Sequence, residues 1–219
     1  MKKTYFCVTL DGKSAFDVVS RTILKRELFC TAKEKGDYWI ASSMEYKNSK
    51  TKIKYNGFIS SDLQEENGVK QGNIKSSDHY KIYNKSLLDT VEASSLGVQI
   101  RRLNIGVSCC ADDFLGMSDH PQKLQCIIDI AQHYGEMYKI SYGSDKTKIL
   151  GSKIDQDYYN QIKPWKMNNE TLDVVNDNEH LGQRISNCYE YKKTLMKTFQ
   201  KQENLYSVCL DFHLLKHVL

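Results

Sequence analysis

The chain has 219 residues, 40% of them apolar and 26% charged, enough to bury the core of one large domain, or of one domain with an appendage. Its net charge of +4 is compatible with a polyanionic partner without demanding one. No apolar run approaches the ~18 residues of a membrane-spanning helix, and an aspartate soon interrupts the short apolar stretch of the opening MKKTYFCVTLDGK, so no secretory signal is expected. Seven cysteines, with no pair of CxxC motifs and no CxxC with clustered histidines, speak against a zinc site and for free thiols in a reducing, intracellular compartment, cytoplasm or nucleus.

TYFCVTL (4–10) is rich in β-branched and aromatic residues and reads as a buried strand ending at Asp11-Gly12. FDVVSRTILKRELF (16–29) reads as a helix, with Val19, Ile23, Leu24 and Leu28 near one face. In SKTKIKYNGFISSD (49–62), Asn56-Gly57 is a strong hairpin turn signal. A second helix is predicted over 76–94, where Tyr80, Tyr83, Leu87, Leu88 and Val91 recur at helical spacing. A strand pair follows around Asp112-Asp113. Asp119 then reads as a helix N-cap with Gln122 three residues on and Pro121 in the first turn, opening a helix whose apolar stripe is Leu124, Ile127, Ile128, Ala131 and Tyr134. KTKIL (146–150) reads as a short strand, EHLGQRIS (179–186) as a strand and turn, and 189–210 as a basic helical tail. Helices interleaved with strands and hairpins predict an α+β fold, an antiparallel sheet with helices packed on one face.

The chemistry concentrates on aspartates. SCCADDFLGM (108–117) sets two like charges side by side within an otherwise apolar or small stretch. Carboxylates are seldom buried unless paired or holding a metal, and strand neighbours point to opposite faces. A turn between two strands resolves this by lifting the pair to a hairpin tip. Asp11 stands at the end of the first strand. If the fold joins the two places, the cluster needs a cation, and magnesium favours such hard oxygen ligands. Taken singly, each aspartate reads as structural, Asp11 as a cap of the following helix and Asp112-Asp113 as a solvated turn. Between them, GVKQGNIKSSDHYKIY (68–83) places Gly68 and Gly72 just before a helix, where backbone can approach a phosphate closely.

In chain order, TLDGKSAFDVVSR, GVKQGNIKSSDHYKIY, CADDFLGMS, SDKTKIL and HLGQRIS resemble the five signatures of the reverse transcriptase palm, most closely that of non-LTR (LINE-like) retrotransposons. The resemblance covers residues 4–186. It implies a polymerase palm over 1–186 and a partial, thumb-like helical segment over 187–219. It also implies RNA-directed DNA polymerase activity: transfer of a nucleotide from a dNTP to a primer 3′-hydroxyl on an RNA or DNA template, with two Mg2+ (or Mn2+) ions. By the resemblance Asp11 and Asp112 would be direct metal ligands with Asp113 beside them, and the Gly12 carbonyl would help hold the triphosphate-side ion. Phe16 would be the gate that crowds a ribose 2′-hydroxyl, or else plain core. Gln71 and Gly72 would contact template base and nucleotide. Lys146 would approach the leaving pyrophosphate or orient its loop. Leu181-Gly182 would lie under the primer.

The sequence departs from the family pattern in places. Cys110 replaces the aromatic usual before Ala-Asp-Asp, and Lys13 precedes Ser14 where Ser-Lys is common. Ser76-Ser77 replaces Ser-Pro, and Asp78-His79 replaces an apolar pair. Polar groups there cost several kcal/mol wherever they are buried without partners. The resemblance further implies fingers and a fuller thumb, expected from a longer parent polyprotein. The alternative is a catalytically inert retroelement remnant that folds as a palm and binds nucleic acid weakly.

Overall fold

Phe6, Val8 and Leu10 are buried and apolar, while Cys7 and Asp11 between and beyond them are half-buried and buried Thr9 is polar, so the period of two fixes which face of the first strand meets the core. A computed structural model describes residues 5–33, 35–70, 72–100, 103–151 and 163–186. Its first half runs β1 (Phe6–Asp11), α1 (Arg21–Cys30), α2 (Gly36–Glu45), β2 (Lys50–Thr51), β3 (Lys54–Tyr55), β4 (Phe58–Ile59), β5 (Leu63–Gln64) and α3 (Ser76–Ala93). Then come β6 (Val98–Ile100), β7 (Leu103–Ile105), β8 (Val107–Cys110), β9 (Asp113–Ser118), α4 (Pro121–Tyr138) and β10 (Lys148–Gly151). The last described elements are β11 (Lys166–Met167), β12 (Glu170–Thr171), β13 (Asp173–Val174), β14 (Asp177–His180) and β15 (Gln183–Ser186).

The central sheet has the order β13-β10-β1-β9-β8, antiparallel throughout except for the parallel β10–β13 pair. The fold is therefore α+β, as expected. In β9, Phe114, Gly116 and Ser118 are buried while Asp113, Leu115 and Met117 are half-buried. The inward residues of β1 and β9 thus line one face, where α4 packs through Leu124, Ile127 and Ile128, all fully buried. Helix α3 joins the same core through Tyr80, Tyr83, Leu87 and Val91 and touches both α4 and β8. A set of tyrosines seams the helices: the Tyr83 hydroxyl donates to the Tyr138 carbonyl and the Tyr134 hydroxyl to that of Tyr83.

Several boundaries move from expectation. The helix predicted over 16–29 begins at Arg21, because residues 14–18 form a turn in which the Ser14 carbonyl accepts from the amides of Asp17 and Val18. The N-cap of α4 is His120, not Asp119; Asp119 instead pairs with Lys123 at 3.0 Å. The strand predicted from 146 begins at Lys148, since Lys146 and Thr147 belong to a tight turn closed by the Thr147 hydroxyl and amide on the Gly143 carbonyl. The Asn56-Gly57 hairpin forms as read, both residues at positive φ (46° and 83°). The basic tail over 189–210 and the whole 187–219 segment lie outside the described residues. The five cysteines among the described residues are free thiols. No helix among those residues is long and apolar enough to cross a membrane.

The departures at the start of α3 are accommodated. Ser76 is buried and its hydroxyl donates to the Lys70 carbonyl. Buried His79 shares a hydrogen bond of 2.9 Å between Nδ1 and the Tyr46 hydroxyl. Asp78 is exposed and pairs with Lys81. Each buried polar group has a partner, which removes most of the desolvation cost.

Candidate active site

Strand register brings the aspartates together. β1 pairs with β9 so that Asp11 stands opposite Asp113, and β8 pairs with β9 through Cys110 and Asp113. Ala111 and Asp112 are the two turn residues between β8 and β9, with Ala111 at φ 55°. Directly opposed residues share a face. Because Leu10 and Phe114 face the helices, Asp11 and Asp113 take the other face, which the helices leave open. Behind the turn, the Cys109 thiol and the Asn84 amide both donate to the Ala111 carbonyl. Burial pushes the Cys109 thiol up to about 12, so it stays protonated and able to donate.

The electrostatics of the strand ends are those of crowded acids. Burial raises the Asp113 carboxyl above its ordinary value; neighbouring Asp112 and Asp11 push it the same way, while His180 pulls it back. Lys146 Nζ donates to Asp11 Oδ2 at 2.8 Å, and this bond holds the ammonium above its usual range. The loop carrying Lys146 is tied to the segment after Asp11 by the Gly12–Tyr142 bridge and by the Lys13 amide on the Ser141 carbonyl. Displaced Lys13 pairs loosely with Asp145, at 3.8 Å.

The other expected residues fall at varied distances from this cluster. Gly12 is buried, and a Cβ there would meet Ala15 and Ile140 at ordinary contact distance. Phe16 is half-buried and stacks on Tyr80, centroids 4.9 Å apart, so it packs as part of the core edge. Beside it, Gly68 (φ +86°) lies where a Cβ would come within 3.1 Å of the Asp17 carbonyl; close approach and left-handed backbone together call for glycine. The Gly68 and Val69 amides donate to the carbonyls of Val19 and Phe16, which carries the chain past Phe16 toward Gly72. Gly72 is exposed with open space about it. Gln71 lies outside the described residues. Leu181 and Gly182, at φ 53° and 69°, form the exposed turn of the β14–β15 hairpin.

That hairpin approaches the open face. Asn178 donates to the Thr9 hydroxyl at 2.8 Å, and half-buried His180 interacts with Asp113. Neither contact was legible in the sequence, since His180 is separated from Asp113 by 67 positions and nothing local marks the pairing. The same holds for Arg21, whose buried guanidinium donates to the Gly68 and Glu65 carbonyls and the Glu65 carboxylate.

The donor types fit a hard divalent cation: Asp11 and Asp113 stand opposite each other with Asp112 in the adjoining turn, and burial, then the neighbouring carboxylates, raise the Asp113 carboxyl. Among the described residues, however, no group of three carboxylate, histidine or cysteine side chains is gathered closely enough to hold a metal ion. Asp11 is engaged by Lys146 instead.

A family model described as reverse transcriptase (RNA-dependent DNA polymerase) matches residues 1–202. The chain belongs to the reverse transcriptase family. No curated protein matches it. Among solved structures, the reverse transcriptase chain resembles apo telomerase from Candida tropicalis truncated from its C-terminal domain, with a TM-score of 0.59 and 16% identity over 85% of this chain and 34% of that one. It also resembles telomerase from the same organism in complex with the TWJ fragment of telomeric RNA, with a TM-score of 0.56 and 13% identity over 69% of this chain and 26% of that one. At such identities the likeness is one of fold, and this chain spans about a third or less of those telomerases.

Proposed function

We propose that the chain is the palm-bearing part of an RNA-directed DNA polymerase of non-LTR retrotransposon type, working inside the cell on a primed RNA or DNA template with fingers and thumb from a longer parent polyprotein. The observation that carries this reading is the Asp11–Asp113 register with Asp112 in the adjoining turn, in a chain of the reverse transcriptase family. The RNA bound in one telomerase neighbour is consistent with an RNA template.

Asp11, Asp112 and Asp113 would hold Mg2+ or Mn2+. Two such ions, when bound, stabilise the attacking and leaving oxygens of a phosphoryl displacement. The chain's own residues would do the positioning. Gly12 offers backbone beside the carboxylates, and the Phe16 ring, stiffened by Tyr80, would stand against the sugar of the incoming dNTP. Gln71 and Gly72 would meet the template base and the nucleotide. Lys146 is exposed, and once released from Asp11 it would bring positive charge to the triphosphate. The Leu181-Gly182 turn would support the primer strand.

The Lys146–Asp11 ion pair, with no three ligands gathered among the described residues, favours a second reading: an inert remnant that folds as a palm and binds nucleic acid weakly. Primer extension on an RNA template with dNTPs and Mg2+ or Mn2+ separates the two. Extension by the chain together with fingers and thumb from a related enzyme, lost in Asp112→Asn, is the expected result. Absence of extension in that reconstituted protein, with template still bound, would establish the remnant.

A further inference from the structure

Residues 50–64 form a two-stranded arm. Lys50 and Thr51 pair with Gln64 and Leu63 at its base, and Lys54 and Tyr55 pair with Ile59 and Phe58 at its tip. Between them the Ile53 carbonyl accepts from the Ser60 amide, and the Ile53 amide donates to the Ser60 hydroxyl. Pairing Ile53 with Ser60 and Tyr55 with Phe58 puts Ile53, Tyr55 and Phe58 on one face and Lys52, Lys54 and Ile59 on the other, by strand alternation. The apolar face is not covered: Ile53, Tyr55 and Phe58 are 60%, 74% and 81% exposed. An exposed aromatic cross-strand pair contributes little to folding and marks an interaction surface.

The opposite face and the edge supply charge. The arm carries three lysines against one aspartate, and Lys50 and Lys52 both reach Asp62, at 3.1 and 3.4 Å, leaving the arm cationic. Its base is rigid. Glu65 receives the Arg21 guanidinium and the Ser49 hydroxyl, and the Glu65 amide donates to the Ser49 carbonyl. From that brace the chain runs directly to Gly68 and Val69, alongside Phe16. The base of the arm is therefore fixed beside the segment that carries Phe16.

We propose that this arm is a binding platform for single-stranded nucleic acid, with bases stacking on Tyr55 and Phe58 while Lys50, Lys52 and Lys54, on the opposite face of a ribbon thinner than a Debye length, supply the positive field that draws the phosphates. Aromatic rings accept any base on their faces and the field acts on any backbone, so recognition is sequence-tolerant. The aromatic pair without lysines would suit an apolar protein partner equally; the surplus positive charge on the same arm selects the polyanion. The site is separate from the metal-binding carboxylates, and it rests on the polymerase reading only in that the bound strand would be template.

The test is fluorescence anisotropy with the 219-residue chain and a labelled, unstructured oligo-uridine, without dNTP or divalent metal, so that binding is read independently of polymerisation. Tyr55→Ala/Phe58→Ala should weaken binding about ten-fold or more, with little change in salt dependence. Tyr55→Trp/Phe58→Trp should retain it. Lys50→Gln/Lys52→Gln/Lys54→Gln should weaken it and flatten the salt dependence. Affinity of the alanine variant within two-fold of the parent chain would overturn the proposal. So would absence of oligo-uridine binding by the parent chain, or a dimer in sedimentation that the alanine substitutions dissolve, which would assign the aromatic face to a protein contact. All the altered side chains are exposed, and an unchanged melting temperature verifies that each variant is folded.

Discussion

Asp11 has two prospective partners, an ammonium now and a cation in the proposed reaction. Its bond to Lys146 is solvent-exposed on the lysine side, so water screens it and it is weak as a stabilising contact. A divalent cation competes for the same oxygens with twice the charge. Only the folded chain sets Asp11, Asp112 and Asp113 on adjoining strand ends, so a cation that draws the three together should stabilise the fold by mass action. Millimolar Mn2+ or Mg2+ at low ionic strength should raise the melting temperature, Asp112→Asn should blunt the rise, and Lys146→Met should enlarge it by removing the competitor. Identical melting of all three proteins with and without metal would rule out a formed site. At Phe16 the core reading holds in part, since the residue is half-buried and its ring stacks on Tyr80; the gate reading belongs to the proposed function.

Helix α1 is held to α4 by one buried acid. Glu27 accepts from the Thr31 hydroxyl at 2.5 Å, the Tyr138 hydroxyl at 2.8 Å and the Arg26 guanidinium at 2.9 Å. Burial alone would raise its carboxyl, but these three donors outweigh that and hold it below the ordinary glutamate value. A carboxyl with a lowered folded value stabilises the protein above its unfolded value, near 4.3, and loses that contribution as pH falls through the folded one. Glu27→Gln should therefore destabilise the protein at pH 7 by about 1–3 kcal/mol, as read by urea denaturation. The difference from the parent chain should narrow below about pH 4, where the parent carboxyl itself takes up a proton. A gap that stays constant down to pH 3 would show that packing, not charge, is what Glu27 contributes. The same scale explains what the sequence did not reveal. Helix α2 went unread because its Tyr38, Ile40 and Met44 are exposed and make no inward stripe. The α1 start was read too early because Val19 continues the apolar spacing while the backbone before it is still a turn.

For the molecule as a whole, the proposed partner is a charged polymer. A net charge of +4 is small, so such binding would come from local clusters such as the proposed 50–64 arm and the lysines at 192, 193, 197 and 201 of the basic tail. Affinity of the chain for a primer–template duplex should fall about ten-fold or more between 50 and 200 mM salt if three or so phosphates are contacted. Conversion of the four tail lysines to glutamine with no change in affinity or salt slope would remove the tail from the interface.

The sequence by itself determined the elements that depend on local chemistry. The β1 strand, the Asn56-Gly57 turn and the apolar stripes of α3 and α4 all follow from periodicity and turn residues within a few positions; the hairpin tip, expected to lift the Asp112-Asp113 pair, falls one residue earlier at Ala111-Asp112, because Asp113 already pairs with Asp11 and Cys110 in the sheet. Order of signatures along the chain carried the family, since five motifs in sequence need no coordinates. Only the tertiary structure decided what those motifs meet. Register between β1 and β9, set by burying Phe6, Val8 and Leu10 against the helices, is what places Asp11 opposite Asp113. The Lys146–Asp11 bond, the His180 approach and the partners of His79 and Ser76 join residues far apart in sequence. Long-range pairings depend on how the whole chain folds back on itself, and no short window of sequence contains both partners.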